Sequence, residues 1–422
     1  MESRLLIRCG KLLTGRGDVE LEDMGVRVRA GRIVEVSPWS EIKESTAEIK
    51  VDYSEQTVCP GFIDSHVHLI FTCDVDHTET RADVESASVA RLTARAASNA
   101  LEALLGGVTT ARDCGDRDLV SLAIRDATKD GQLPGPRILA AGPPLTTARG
   151  HLNWCGNTAE TTDEIREAVR KSCDAGVDVI KVMASGGNMT SESDVHHPQY
   201  DVSQLTVAVE EAHRSGRRVA AHALNAESIR RSVAAGVDTL EHCLWRNADS
   251  EAEDADELVR LLERSAASVV LTMAGIARAL LSGKDGVSSN EYEIARKTSL
   301  TGDLFQDYEW ARKLLQSKVN VVIASDAGVR FTPFRRFDES IQCAIEALGI
   351  TPSQAVSLVT QNAAISLGLE DEVGLIEKGM IADLVVLDGG NSSTRIGSIA
   401  AVYKAGELVV DGGQLIWGGQ PS

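Results

Sequence analysis

Between Val58 and about Gly368 the chain repeats one pattern, a short apolar run followed by a longer amphipathic stretch rich in Ala and Glu and of helical period. The runs are Phe62 to Leu69, Val108 to Cys114, Arg137 to Ala141, Val179 to Ala184, Val219 to Ala223, Thr239 to Cys243, Val269 to Met273 and Val321 to Ala324, eight in all. Alternating strands and helices build a parallel sheet covered by helices. Eight such units close a TIM-type (β/α)8 barrel, in which residues at the strand C-terminal ends converge on one mouth.

The ends of the chain read differently. Residues 1 to about 58 alternate apolar and polar with turn signals, as in Arg32-Ile33-Val34-Glu35-Val36 after Gly31. The strand pattern returns after Gly368, in Ala382 to Asp388, Ala401-Val402-Tyr403 and Glu407 to Val410. The expectation is an α/β protein in which segments 1–58 and 369–422 together form one small β-sandwich domain beside a barrel spanning 59–368.

Charge narrows the partners. A net charge of −19 and a pI near 5.0 repel phosphate backbones and anionic lipid, which points away from nucleic acid and membrane surfaces and toward a small molecule. The cysteines at 9, 59, 73, 114, 155, 173, 243 and 343 form no C-x-x-C pair and read as reduced core residues in a 422-residue chain that needs no staple. No segment approaches 18 uninterrupted apolar residues, and a cytoplasmic location is expected.

Polar residues interrupt the apolar runs at particular places. His66 and His68 stand two apart in Gly61-Phe62-Ile63-Asp64-Ser65-His66-Val67-His68, so both rings project from the same face of a strand, as two ligands of one metal must. The competing reading is two polar residues on a barrel strand. Lys181, His222, His242 and Asp326 each lie in or directly after a later run, where an unpaired charge is costly.

This set resembles the binuclear amidohydrolase superfamily: the Gly-Phe-Ile-Asp-x-His-x-His opening, the lysine of the fourth run, the histidines of the fifth and sixth, and the aspartate of the eighth. The likeness extends to the flanking β unit and its Gly379-Met380-Ile381-Ala382-Asp383-Leu384-Val385-Val386 segment. Lys181 to Gly187 and Gln199-Tyr200 look like the imidazolonepropionase-related, prolidase-like branch. The resemblance implies that His66, His68 and Asp326 hold one divalent ion and His222 and His242 a second, with Lys181 carboxylated and bridging both. Zn²⁺ suits these ligands, with Mn²⁺ or Co²⁺ as alternatives. It further implies hydrolysis of an amide in a dipeptide or N-acyl amino acid by a metal-bridging hydroxide, with Asp326 moving the proton.

Substrate contacts are expected from His151 as an oxyanion donor, from Tyr200, from Leu224 two residues after His222, and from Arg330, with Arg335 and Arg336 also available to clamp a carboxylate. His77, His196, His197 and His213 read as ordinary structural or solvated residues. Leu224 and the Thr332-Pro333-Phe334-Arg335-Arg336 loop depart from the prolidase-like pattern. A hydrolase of a foreign carbamate, urea or aryl amide is therefore the alternative. A mononuclear deaminase is disfavoured because position 225 is Asn where that branch carries a glutamate, and a noncatalytic scaffold because all six ligand positions are filled. Homo-oligomerisation is expected by resemblance.

Overall fold

The computed structural model describes residues 4–74, 76–245, 255–272, 304–389 and 394–417. The amino-terminal alternation folds into β1 (Arg4–Leu13), β2 (Glu20–Arg29), β3 (Arg32–Pro38) and β4 (Ile49–Pro60). All eight predicted runs are strands. They are β5 (Phe62–Val67), β6 (Val108–Asp113), β7 (Arg137–Ala140), and, after two short unpredicted strands β8 (Leu145–Thr146) and β9 (Asn157–Thr158), β10 (Val179–Met183), β11 (Arg218–His222), β12 (Thr239–Glu241), β13 (Ser268–Thr272) and β14 (Val321–Ala324). Met273, the expected end of the seventh run, lies outside the described residues. The chain closes with β15 (Leu384–Asp388), β16 (Ser398–Lys404), β17 (Glu407–Asp411) and β18 (Gln414–Leu415).

The barrel strands pair in parallel as β5-β6-β7 and as β10-β11-β12-β13-β14, and two seams made largely by single residues join these sets. At the first seam the Asp326 amide donates to His66 O at 2.9 Å and the His68 amide to Ala327 O at 2.8 Å. Asp64 fastens the same seam, accepting from the Ser325 amide at 3.0 Å and from the Ser325 hydroxyl. At the second, the Asp178 amide donates to Ala140 O at 2.8 Å while the Asp178 carboxylate accepts from the Ala140 amide at 2.9 Å. Side-chain oxygens thus replace ladder partners where the strands splay, and buried backbone groups stay satisfied.

The covering helices start where the sequence supplies caps. Thr161 and Glu164 form a reciprocal capping box for helix Thr162–Asp174, as Asp201 and Gln204 do for Val202–Arg214. Phe62 meets Phe337 of helix Phe337–Leu348 edge to face at 6.1 Å, burying both rings for roughly 2–3 kcal/mol each. Among the described residues no helix is long and apolar enough to cross a membrane.

Strands from both ends of the chain share one sheet in the order β18-β17-β16-β15-β4-β1-β2-β3, with β4 and β15 antiparallel at its centre. The sheet contributes a core of its own that includes Ile7, Val26, Val28, Val58, Leu384, Val386 and Tyr403. Its two turns come together across that core: the Ala382 amide donates to Gly31 O and the Gly406 amide to Ala382 O, each at 2.8 Å. Gly31 and Gly406 both have positive φ, and a Cβ at Gly406 would lie 2.7 Å from the Val28 side chain, so glycine is what permits this closure.

Candidate metal centre

His66, His68, Lys181, His222, His242 and Asp326 all line one cavity of about 200 Å³ at the C-terminal ends of the barrel strands. His66 and His68 leave β5 on the same face, their ring centroids 5.4 Å apart. His242 lies 4.8 Å from His66 and 4.7 Å from His222. The backbone is strained at two of these positions: His242 and Asp326 have φ of 63° and 60°, a left-handed conformation that costs a non-glycine residue about 1–2 kcal/mol. Such strain persists where surrounding structure imposes it, and here both strained residues line the cavity.

In His66, His68 and His222 one ring nitrogen faces an oxygen that can only accept, which decides what the other nitrogen offers. His66 Nδ1 donates to Glu241 Oε2 at 2.6 Å, and His68 Nδ1 donates to Gly115 O at 3.1 Å. The Nε2 of each then carries a lone pair, 3.6 Å from Asp326 Oδ1 in both cases. His222 is reversed: its Nε2 donates to Gly186 O at 3.2 Å, leaving Nδ1 as the lone-pair nitrogen. His242 Nδ1 is 2.7 Å from the Thr272 hydroxyl.

Burial holds the imidazoles neutral. It drives His66, His222 and His242 well below the ordinary imidazole value and His68 to about 3, with neighbouring cationic groups adding to the effect. Burial pushes the Asp326 carboxyl up to about 7, opposed by the Lys181 charge. Lys181 Nζ and Asp326 Oδ1 are buried with no hydrogen-bond partner among the described residues. Neutral lone-pair nitrogens, an unpaired carboxylate oxygen and an orphaned amine, all within one cavity, suit divalent cations, and the ligand atoms of His66, His68 and Asp326 lie within 4.8 Å of one another. His66, Cys114 and Glu241 are equally close but do not suit a metal. Both Glu241 oxygens are engaged by Arg112, Thr239 and His66, and burial pushes the Cys114 thiol up to about 12.

Of the expected substrate contacts, His151, Leu224 and Arg330 line the cavity. The His151 ring stacks on His222 at 4.6 Å and its Nδ1 is unpartnered. Tyr200 does not line the cavity, which corrects the expectation: it is buried in the core and its hydroxyl donates to Ala159 O at 2.9 Å, leaving no donor for a substrate. Arg335 and Arg336 also point elsewhere, the first donating to Gly413 O and the second pairing with Glu339. His213 pairs with Asp238 and His197 with Asp194 outside the cavity, as ordinary surface residues do. Asn225 caps helix Ala226–Ala235 by accepting from the Ser228 amide.

Sequence reasoning did not single out Asp64, Arg112 or Glu241, and it read His77 as an ordinary structural or solvated residue. His77 lines the cavity. Asp64, Arg112 and Glu241 lie beneath it, with Arg112 donating to Ser65 O at 2.7 Å and to Glu241 at 2.6 Å. The last three are charges inside apolar runs, the same signal that singled out Lys181.

Residues 57–409 match the Amidohydrolase family. The chain is 26% identical to the ochratoxinase of Aspergillus niger, over 98% of this chain and 88% of that protein. It is 25% identical to the imidazolonepropionase of Symbiobacterium thermophilum, over 97% and 98% respectively. Among solved structures, a Xaa-Pro dipeptidase with methionine bound in its active site superposes with a TM-score of 0.81 at 26% identity, covering 96% of this chain and 99% of that one. A helix-covered barrel flanked by a sheet from both chain ends, and a match spanning most of the sequence, lead to one conclusion: the chain belongs to the amidohydrolase family of hydrolases.

Proposed function

We propose that this protein is a binuclear metal-dependent amidohydrolase that cleaves an amide bond in a dipeptide, an N-acyl amino acid or a related small molecule. One observation carries the reading: Lys181 Nζ is buried among neutral histidines without any partner among the described residues. A bare ammonium there pays for desolvation with nothing in return. Carboxylated by CO₂, the same side chain becomes an anion with two hard oxygens, which fits between two cations. His66, His68 and Asp326 would hold one ion, His222 and His242 the other, and carboxylated Lys181 both, with Zn²⁺ the first choice and Mn²⁺ or Co²⁺ alternatives.

The ions supply Lewis acidity toward the carbonyl oxygen and an activated water near neutral pH. The residues of the chain do the rest. Asp326 Oδ1, otherwise unpartnered, takes the proton of the attacking water and returns it to the leaving nitrogen. His151 supplies an N–H where negative charge develops on the former carbonyl oxygen. Leu224, Leu244 and Leu271 line the cavity and exclude water from the reacting groups. Asn225 is occupied as a helix cap, so the glutamate-dependent proton shuttle of a deaminase has no counterpart at that position.

The apolar walls, to which Trp310 also contributes, favour a second reading in which the scissile group is a carbamate, urea or aryl amide. A small-molecule partner, a cytoplasmic location in keeping with eight free cysteines, and assembly of identical chains complete the proposal. The deciding experiment is elemental analysis of metal per chain, paired with hydrolysis of dipeptides, N-acyl amino acids, aryl amides and carbamates. Two equivalents with amide cleavage are expected. One equivalent, or a folded chain that binds two ions and cleaves none of these, overturns the reading.

A further inference from the structure

Arg330 and His77 are polar groups on the cavity wall that the chemistry above does not use. Arg330, four residues beyond Asp326, lines the cavity, and its guanidinium makes no hydrogen bond or ion pair among the described residues. The acid whose charge reaches it is Asp76, which is exposed and already caps helix His77–Ser86 through the Thr78 amide at 2.7 Å. His77, the first residue of that helix, lines the same cavity, and its Nδ1 is buried without a partner among the described residues. Burial and the Arg330 charge drive His77 down to about 3, so it is a neutral donor beside a cation. Arg335 and Arg336, two other cations of the same loop, already have partners.

We propose that Arg330 and His77 form an anion subsite on the cavity wall, and that it selects amide substrates carrying a free carboxylate. A half-buried guanidinium facing a cavity without a counter-ion among the described residues is costly, and the shape that removes this cost is a planar anion accepting two parallel N–H bonds. The neutral His77 ring supplies a third donor without competing for the charge. With the reacting groups in the same cavity, a substrate is held at two places, its amide at the histidine cluster and its carboxylate at Arg330. This fixes orientation as well as affinity. The inference rests on the hydrolytic reading for its substrate, but anion selectivity is measurable without turnover.

The probes are N-benzoyl-L-phenylalanine and its carboxamide, which differ in charge and little in shape. Binding is measured by calorimetry in an Asp326→Asn background, where the amide survives the titration, and turnover is measured with Asp326 intact. The acid is expected to bind about 10- to 100-fold more tightly than the carboxamide, the range of a charge-assisted bidentate contact. Arg330→Met is expected to bring that ratio close to one, Arg330→Lys to preserve part of it, and His77→Leu to reduce it several-fold, each in a chain whose circular dichroism matches the parent. Equal binding of the two probes, no binding of either, or a ratio that survives Arg330→Met overturns the subsite. Preferential binding of the acid with no cleavage by the native chain overturns amide hydrolysis and leaves the subsite standing.

Discussion

Arg112 and Glu241 form an ion pair at 2.6 Å in which neither side chain is more than 1% exposed, and the other oxygen of Glu241 holds His66 Nδ1. The pair sits between the barrel core and the cavity, so it serves both. Glu241→Leu strands a buried guanidinium and is expected to cost about 3–5 kcal/mol in unfolding free energy. Arg112→Met combined with Glu241→Leu is expected to recover much of that loss, because two apolar side chains replace two charges. The double variant should still bind metal 10- to 100-fold more weakly, since His66 loses the acceptor that fixes its tautomer. Denaturant titration and metal competition read the two effects separately, and equal recovery of both would sink this division of labour.

Lys181→Ala is expected to abolish loading of two ions, measured by elemental analysis, because the variant lacks the side chain that, once carboxylated, would offer one oxygen to each ion. Short carboxylates added to this variant should restore part of the metal content and part of the activity by standing in for the carbamate. Asp326→Asn is expected to retain much of the metal and the fold, since Asn tolerates the left-handed backbone at 326, while turnover falls by about 10²- to 10⁴-fold. Full activity in either variant would remove the roles assigned to these residues.

Gly187 lies against the face of His151: a Cβ there would stand 2.5 Å from Nδ1 and 2.6 Å from two ring carbons. Gly187→Ala therefore pushes the ring off its stack with His222 without touching a proposed ligand. Turnover is expected to fall by roughly 10-fold or more toward the 10²- to 10³-fold loss of an absent oxyanion donor, with metal content unchanged. A variant with native kcat would show that His151 is merely packed there.

How much of this was legible in the sequence follows from where each residue's signal came from. The eight barrel strands were readable because a strand buried on both faces is a continuous apolar run, as Val219, Ala220 and Ala221 show at 0% exposure each. β8 and β9 were not, since two residues carry no period. The His66-x-His68 pair was visible through strand alternation alone. Arg112 and Glu241 broke apolar runs as plainly as Lys181 did, but lie 129 positions apart, and only the parallel order of the strands makes them partners. His77 carried no local signal. It begins a short, mostly polar helix, and its place on the cavity wall is set by tertiary packing. Tyr200 shows the converse: a residue next to a recognisable motif was read as a contact when its hydroxyl had a backbone partner.

The joint between barrel and terminal sheet carries a pH-dependent term. Lys404, at the end of β16, donates to Gly135 O at 2.6 Å in the segment before β7, and burial lowers its ammonium from 10.5 to about 8, with Asp383 opposing. Between those values the unfolded chain binds a proton that the folded chain lacks, so this group makes stability rise with pH across the window. Below about pH 8 both states are protonated and the cost of burying the charge is fully present; above 10.5 both are neutral and it is gone. The difference is at most roughly 2–3 kcal/mol. Lys404→Met is expected to remove this gain, so that variant and parent unfolding free energies, measured by urea titration at pH 7.5 and pH 10, differ most at the lower pH. A parent whose stability falls relative to Lys404→Met between those two pH values would mean that the buried ammonium is stabilised by Asp383 more than it is penalised by burial.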